Sequence, residues 1–271
     1  MQLFGRTNFL PPVVKNLIIL NVVFFIARYF LSDLDLDNLL GLHYPTSKYF
    51  KPFQFITYMF MHANLMHIFF NMYGLWMFGP ILENSLGSQK FLFYYLFTGL
   101  GAAVFHLFIS YFNIAPLEHA LAEYVNNPNI DTLRKIVTEN VPTAYISYFQ
   151  DFISDWTKDM GNSSQYIKTS IDDLNQLLSS MTDVPLVGAS GAIFGVLLAF
   201  AVLYPTVELY LFFIPIPIKA KWAVIGYGLI ELVMGVANSN GDNVAHFAHL
   251  GGMLFGFILL YYWKKTSNQV W

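Results

Sequence analysis

Six long apolar stretches constrain the fold of this sequence more than any other feature. They cover residues 13–32, 61–82, 90–112, 188–204, 222–238 and 244–263. Most approach the roughly 20 apolar residues that a helix needs to cross the hydrocarbon core of a bilayer. The chain is also 56% hydrophobic and only 11% charged, which is unusual for a soluble domain. The sequence therefore predicts an all-α membrane protein, a bundle of six transmembrane helices in contact with the lipid bilayer.

A polar segment, residues 113–185, separates the third and fourth apolar stretches and is too long for an ordinary connection. Apolar residues recur in it at helical spacing, as in Ile167, Ile171, Leu174, Leu178 and Met181. This predicts amphipathic helices that lie on the membrane surface or pack on one another. We expect three parts: spans 1–3 in residues 1–112, an insertion at 113–185, and spans 4–6 in 186–271.

Basic residues in the short loops predict the orientation in the membrane. With six spans, one side carries Lys15, Lys90, Lys219, Lys221, Lys264 and Lys265. We expect that side, with both termini, to be cytoplasmic and the insertion to be extracytoplasmic. The first stretch is too long for a signal peptide and is expected to be retained. The lack of a transit peptide and of cysteine favours a bacterial inner membrane.

Composition also excludes several functions. Without cysteine the chain forms no disulfide and has no thiolate nucleophile. A net charge of −3, scattered along the chain, does not indicate nucleic-acid binding.

A small-residue cluster, Gly188–Ala189–Ser190–Gly191, stands where a polar segment becomes an apolar helix. Small neighbours leave the Ser190 hydroxyl uncrowded and let backbone amides approach a reacting carbonyl. Taken alone, such a cluster in a membrane helix is more often a close-packing surface.

The last span contains a histidine that could act as a base, in the sequence Ala248–His249–Leu250–Gly251–Gly252. An imidazole can accept a serine proton and return it to a leaving amine. Gly252 and Gly256 would allow close packing, plausibly against Gly191 and Gly195 of the fourth span. His246 lies one turn earlier and competes for the same role.

A third cluster, at the start of the second span, contains His62, His67 and Asn71. His67 and Asn71 are four residues apart and share a helix face, so both could donate hydrogen bonds to one oxyanion.

Other interpretations of these polar residues stay open. The histidines could bind zinc or haem, although no carboxylate or cysteine is expected near them. They could make hydrogen bonds between helices, or form a transporter's proton relay with Glu231 of the fifth span.

Taken together and in order, the three motifs resemble the rhomboid family of intramembrane serine proteases. The resemblance implies a rhomboid-like fold and cleavage of transmembrane protein substrates, without a cofactor or metal. It makes Ser190 the nucleophile and His249 the base, in preference to His246. His67 and Asn71 would hold the oxyanion with the Ser190 amide.

The resemblance also implies supporting roles. His62 would sit at the water-facing rim of the site, Gly188 would precede the serine in the Gly-x-Ser-Gly motif, and Phe194 would pack against the imidazole. Phe53–Gln54 departs from the family's frequent Trp–Arg in the first loop. A protein of the same fold that binds membrane helices without cutting them is the main alternative.

Overall fold

The computed structural model describes residues 10–211, 214–237 and 245–266. Within these ranges the chain forms eleven α-helices and one antiparallel hairpin. The helices are α1 Pro12–Phe30, α2 Leu36–Leu40, α3 Gln54–Thr57, α4 Leu65–Leu86, α5 Ser88–Asn126, α6 Ile130–Glu139, α7 Thr143–Lys158, α8 Ser163–Thr182, α9 Ser190–Leu203, α10 Ala220–Ala237 and α11 His246–Thr266. The strands are β1 Glu208–Leu211 and β2 Ile214–Lys219. The predicted class is confirmed, and the hairpin was not predicted.

The six predicted spans correspond to α1, α4, α5, α9, α10 and α11. The last residue of the fifth predicted span, 238, and the first residue of the sixth, 244, lie outside the described residues. Helix α5, which contains the third predicted span, continues past 112 to Asn126 and passes Pro116. Leucine, alanine and glutamate dominate residues 117–123, and these are strong helix formers. A change from apolar to polar composition therefore does not end the helix.

Several of these helices have the properties of membrane spans. Four are long and apolar enough to cross a bilayer, namely α1, α4, α5 and α10, and α9 is apolar but shorter. On α10, large apolar side chains point outward, with Val233 and Val236 65% and 71% exposed. Such a surface suits lipid rather than water. The chain is an integral membrane protein.

The described chain divides into two compact units. The second unit comprises Tyr44–Lys48 and Phe108–Val184. Its own core contains Leu117, Leu121, Tyr124, Leu133, Ile136, Phe149, Ile153, Trp156, Leu174 and Leu177. Of the two arrangements predicted for its amphipathic helices, the structure shows them packed on one another. The extracytoplasmic position of this unit stays a prediction.

The first unit, which includes Tyr49–Leu107 and the chain from Pro185 onward, is built around α9. This helix packs on α11, α4 and α10. A Cβ atom on Gly252 of α11 would lie 1.8 Å from the carbonyl oxygen of Gly191, so the two helices meet backbone to backbone. Gly195 and Gly256 face Thr98 and Tyr94 of α5 instead. The predicted close approach of α9 and α11 is therefore confirmed at Gly191 and Gly252, whereas Gly195 and Gly256 each contact α5.

The loop before α4 is organised by Gln54, which is fully buried. Its Nε2 lies within hydrogen-bond distance of the carbonyl oxygens of Asn38, Leu39 and Tyr49, which share its two hydrogens, and its Oε1 accepts from the Lys51 amide. One glutamine thus joins the separate turns of this loop, where the resemblance to the rhomboid family would lead one to expect an arginine.

Arg28, at the end of α1, supplies a guanidinium from another position. It donates to the carboxylate of Asp37 and to the carbonyl oxygen of Ala63. This anchors the chain directly before α4.

Candidate active site

The chain leading to Ser190 is fixed by backbone contacts. Leu186 exchanges two hydrogen bonds with Leu42, of 2.9 and 2.8 Å, and the Gly188 amide donates to the carbonyl oxygen of Tyr58. Gly188 has φ +127°, a backbone conformation that residues other than glycine rarely adopt. Ser190 follows this turn as the first residue of α9. The first backbone N–H groups of a helix have no carbonyl acceptor within the helix.

Ser190 and His249 meet at the contact between α9 and α11. His249 Nε2 lies 2.8 Å from Ser190 Oγ, and the histidine is 8% exposed. Phe194, one turn along α9, stacks on the imidazole with ring centroids 4.2 Å apart and planes 6° apart. The close contact at Gly252 explains how two helices bring these side chains within hydrogen-bond distance.

His67 lies beside the same turn. A Cβ atom on Gly188 would lie 2.7 Å from His67 Nε2 and 3.6 Å from Ser190 Oγ, so the absence of a side chain leaves this space open. The Ala63 amide points at His67 Nδ1 from 3.4 Å. Because Nδ1 accepts this hydrogen bond, the proton belongs on Nε2, which can donate towards the space beside Ser190.

Asn71 lies one turn further along α4 and is nearly buried. Its Nδ2 donates to the carbonyl oxygen of His67 at 2.9 Å. An amide nitrogen carries two hydrogens, so this contact orients the group and leaves it a second donor.

The predicted position of His62 at a water-facing rim is wrong. The ring is fully buried and packs edge-on against His67, with centroids 5.0 Å apart. His62 precedes α4 and lies in a buried run that includes Met59 and Met61. The position in the motif indicated that it belongs to the site but not which way the ring faces.

Glu231 of α10 is the residue that the sequence analysis did not assign to this site. Its Oε2 lies 2.8 Å from His249 Nδ1 and 2.6 Å from His246 Nδ1, and the residue is 8% exposed. An acidic residue in a membrane span was the available signal, since such residues are usually functional. Helical periodicity does not reveal which residue of α11 faces it.

The same contacts bear on metal binding. Among the described residues, Glu231, His246 and His249 each offer a ligand atom within 4.8 Å of one another, and His62 and His67 are not in this group. The expectation that no carboxylate lies near the histidines is wrong. The two distances to Glu231 are hydrogen-bond lengths, and they need no ion to explain them.

Fold and site together define a membrane-embedded helical protein with a serine–imidazole–carboxylate chain inside its bundle. Comparison with known families specifies the class further. The family model of the Rhomboid domain matches residues 49–115 and 161–266, and the chain belongs to the rhomboid family.

Individual relatives are more distant. An uncharacterized mitochondrial rhomboid protein of Schizosaccharomyces pombe is 27% identical over 78% of this chain and 52% of its own length. The mitochondrial RHOMBOID-like protein 12 of Arabidopsis thaliana is 26% identical over 89% of this chain and 55% of its own. The rhomboid protease GlpG of Yersinia pestis is 26% identical over 35% of each chain.

Two features of these relatives limit what they imply. The chain spans about half of the length of the first two relatives, so their whole activities do not transfer directly. Both are called mitochondrial, and the expectation of a bacterial inner membrane is not supported by the comparisons.

Proposed function

We propose that this protein is an intramembrane serine endopeptidase that cleaves transmembrane segments of membrane proteins. The observation that carries the proposal is the 2.8 Å contact between Ser190 Oγ and His249 Nε2, buried in the bundle. A serine hydroxyl is a weak nucleophile until a base removes its proton, and a hydrogen-bonded imidazole supplies that base. Membership of the rhomboid family, with a relative named a protease, supports the same chemistry.

In the proposed reaction, Ser190 Oγ attacks a peptide carbonyl of an unwound substrate helix while its proton passes to His249 Nε2. Unwinding is needed because helical carbonyls are already hydrogen-bonded. The tetrahedral intermediate collapses, the peptide C–N bond breaks, and His249 returns the proton to the leaving amine. Water then attacks the acyl ester, His249 takes a proton from it, and Ser190 regains its hydroxyl hydrogen as the second product leaves.

The oxyanion of the intermediate would be held by three groups. These are His67 Nε2, the Asn71 amide and the backbone N–H of Ser190 at the start of α9. Donors fixed in place before the reaction stabilise developing charge without reorganising, which is the main contribution of an oxyanion hole. His62 would support His67 by packing on it, and Phe194 would hold the imidazole plane.

The experiment that tests the proposal uses the purified chain in liposomes with a tagged single-span reporter. We expect wild-type protein to cut the reporter within or beside its membrane span, which mass spectrometry of the two products would locate. Ser190→Ala provides the blank. The opposite result would favour a binding protein: several reporters bind equally well to wild type and to Ser190→Ala, and neither protein cuts any of them.

We expect Asn71→Ala to lower kcat by about 10²- to 10³-fold and to leave KM nearly unchanged, because the amide is needed only when the oxyanion forms. Steady-state kinetics on the same reporter would check this. Asn175→Ala on α8 is the matched control, since Asn175 makes the same side-chain contact to a carbonyl four residues earlier. A rise in KM at constant kcat would instead place Asn71 in substrate binding.

A further inference from the structure

We propose that Glu231 is a positioning residue for His249 and that the site operates as a Ser190–His249–Glu231 chain. The inference rests on the proposed protease function. It adds a carboxylate from a third helix to the two-residue mechanism. The three side chains, in the order of the chain, come from α9, α11 and α10.

The first argument concerns the tautomer of His249. Its Nε2 must carry a lone pair to accept the Ser190 proton, so the ring proton must sit on Nδ1. The Glu231 carboxylate accepts at Nδ1 from 2.8 Å, and an ionised carboxylate can only accept. Glu231 therefore selects the tautomer in which His249 is a base towards Ser190.

The second argument concerns the orientation of the ring. Stacking on Phe194 fixes the plane of the imidazole but still allows a half-turn flip about the Cβ–Cγ bond, which would exchange each ring nitrogen with a carbon. The hydrogen bonds at Nδ1 and Nε2, on opposite sides of the ring, remove that freedom. Helix α10 thus takes part in aiming the base at Ser190.

The third argument concerns charge. When the Ser190 proton moves to His249, the ring becomes a cation inside the bundle. A carboxylate 2.8 Å away stabilises that cation, and the effect is stronger in a site from which water is largely excluded.

His246 acts on the carboxylate rather than on the serine in this arrangement. Its Nδ1 contacts the same oxygen, Oε2, at 2.6 Å. Two imidazole donors on one oxygen fix the direction of the carboxylate and compensate for its burial in a membrane helix. This explains why two histidines stand one helical turn apart at the start of α11.

A metal ion held by the same three residues explains the distances less well. Two atoms bound to one tetrahedral zinc ion, each about 2.0–2.2 Å from it, are roughly 3.3–3.6 Å apart. The separations from Oε2 here are 2.6 and 2.8 Å, shorter than such a geometry gives.

The test compares Glu231→Gln with wild type in the liposome assay. The amide can donate to Nδ1 and favour the wrong tautomer, so we expect kcat to fall about 10⁴-fold, as the corresponding Asp→Asn change does in a soluble Ser-His-Asp protease. KM should change little, because Glu231 does not touch the substrate. Glu208→Gln makes the same chemical change at an exposed position of β1 and should leave kcat unaltered.

Two further variants separate positioning from packing. Glu231→Asp keeps the charge and should recover part of the activity that Glu231→Gln loses. His246→Ala should cost less than Glu231→Gln, and adding it to Glu231→Gln should cost nothing more, since His246 reaches His249 through the carboxylate. A wild-type kcat in Glu231→Gln would overturn the inference. So would equal losses of kcat in Glu231→Gln and Glu231→Asp, if both variants also unfold at a lower temperature than wild type.

A second readout separates this inference from the proposed function. Labelling of Ser190 by a fluorophosphonate needs the activated serine but no peptide substrate, and we expect it to slow in Glu231→Gln as kcat does. Labelling that slows although no reporter is cut would keep the inference and remove the proposed endopeptidase. If wild type neither labels nor cuts, both fail. Activity lost in EDTA and restored by zinc would replace the positioning role with a metal site.

Discussion

Replacing Ser190 or His249 by alanine is expected to reduce reporter cleavage at least about 10⁴-fold, and the double variant should lose no more than either single one. The reason is that the two side chains act as one unit. Without the serine no acyl intermediate forms, and without the imidazole the hydroxyl loses the base that lies 2.8 Å from it. Once one partner is gone, the other contributes nothing to the chemical step.

Initial rates at several reporter concentrations, with all variants at equal amounts in liposomes, would check this double-mutant cycle. Matched controls are Ser180→Ala on α8 and His119→Ala on α5, both exposed residues of the second compact unit and outside the three motifs. Losses that multiply in the double variant would mean that the two residues act independently. That result would contradict the proposed nucleophile and base.

The sequence alone predicted the helical class because long apolar stretches have few alternatives in a membrane. It indicated Ser190, His249, His67 and Asn71 as a group only through the resemblance of three motifs, taken together and in order, to the rhomboid family. The structure brings the serine and the imidazole together and leaves their roles to experiment. Their meeting depends on glycines whose spacing was visible in the sequence.

Other features depend on packing between elements and were not visible. Glu231 was considered only as part of a transporter's relay, because nothing local indicates that α10 places it against the start of α11. The predicted orientation of His62 was wrong for the same reason. Gly195 and Gly256 were expected to lie in the contact between α9 and α11, but each faces α5, because a glycine motif gives the spacing of a contact surface and not its partner.

Substitution of Gly252 by alanine is expected to disable the site without touching a reacting group. The added Cβ would lie 1.8 Å from the carbonyl oxygen of Gly191, and real Cβ atoms essentially never come within 3.0 Å of another heavy atom. Both atoms belong to helix backbones, so the helices must move apart. Ser190 immediately precedes Gly191, and His249 lies one turn before Gly252. Moving the helices apart therefore lengthens the 2.8 Å hydrogen bond between Ser190 and His249.

A displacement of about 1 Å at reacting groups can cost roughly 10²-fold in rate. We therefore expect Gly252→Ala to lower kcat by at least that factor and to cost about 1–3 kcal/mol in the free energy of unfolding through overpacking. Gly226→Ala on α10 is the matched control, because a Cβ there meets nothing within 4 Å and alanine favours a helix. Wild-type kinetics in Gly252→Ala would show that the pair does not depend on this close approach. Loss confined to Gly252→Ala would instead mean that a glycine sets the distance over which the proton moves.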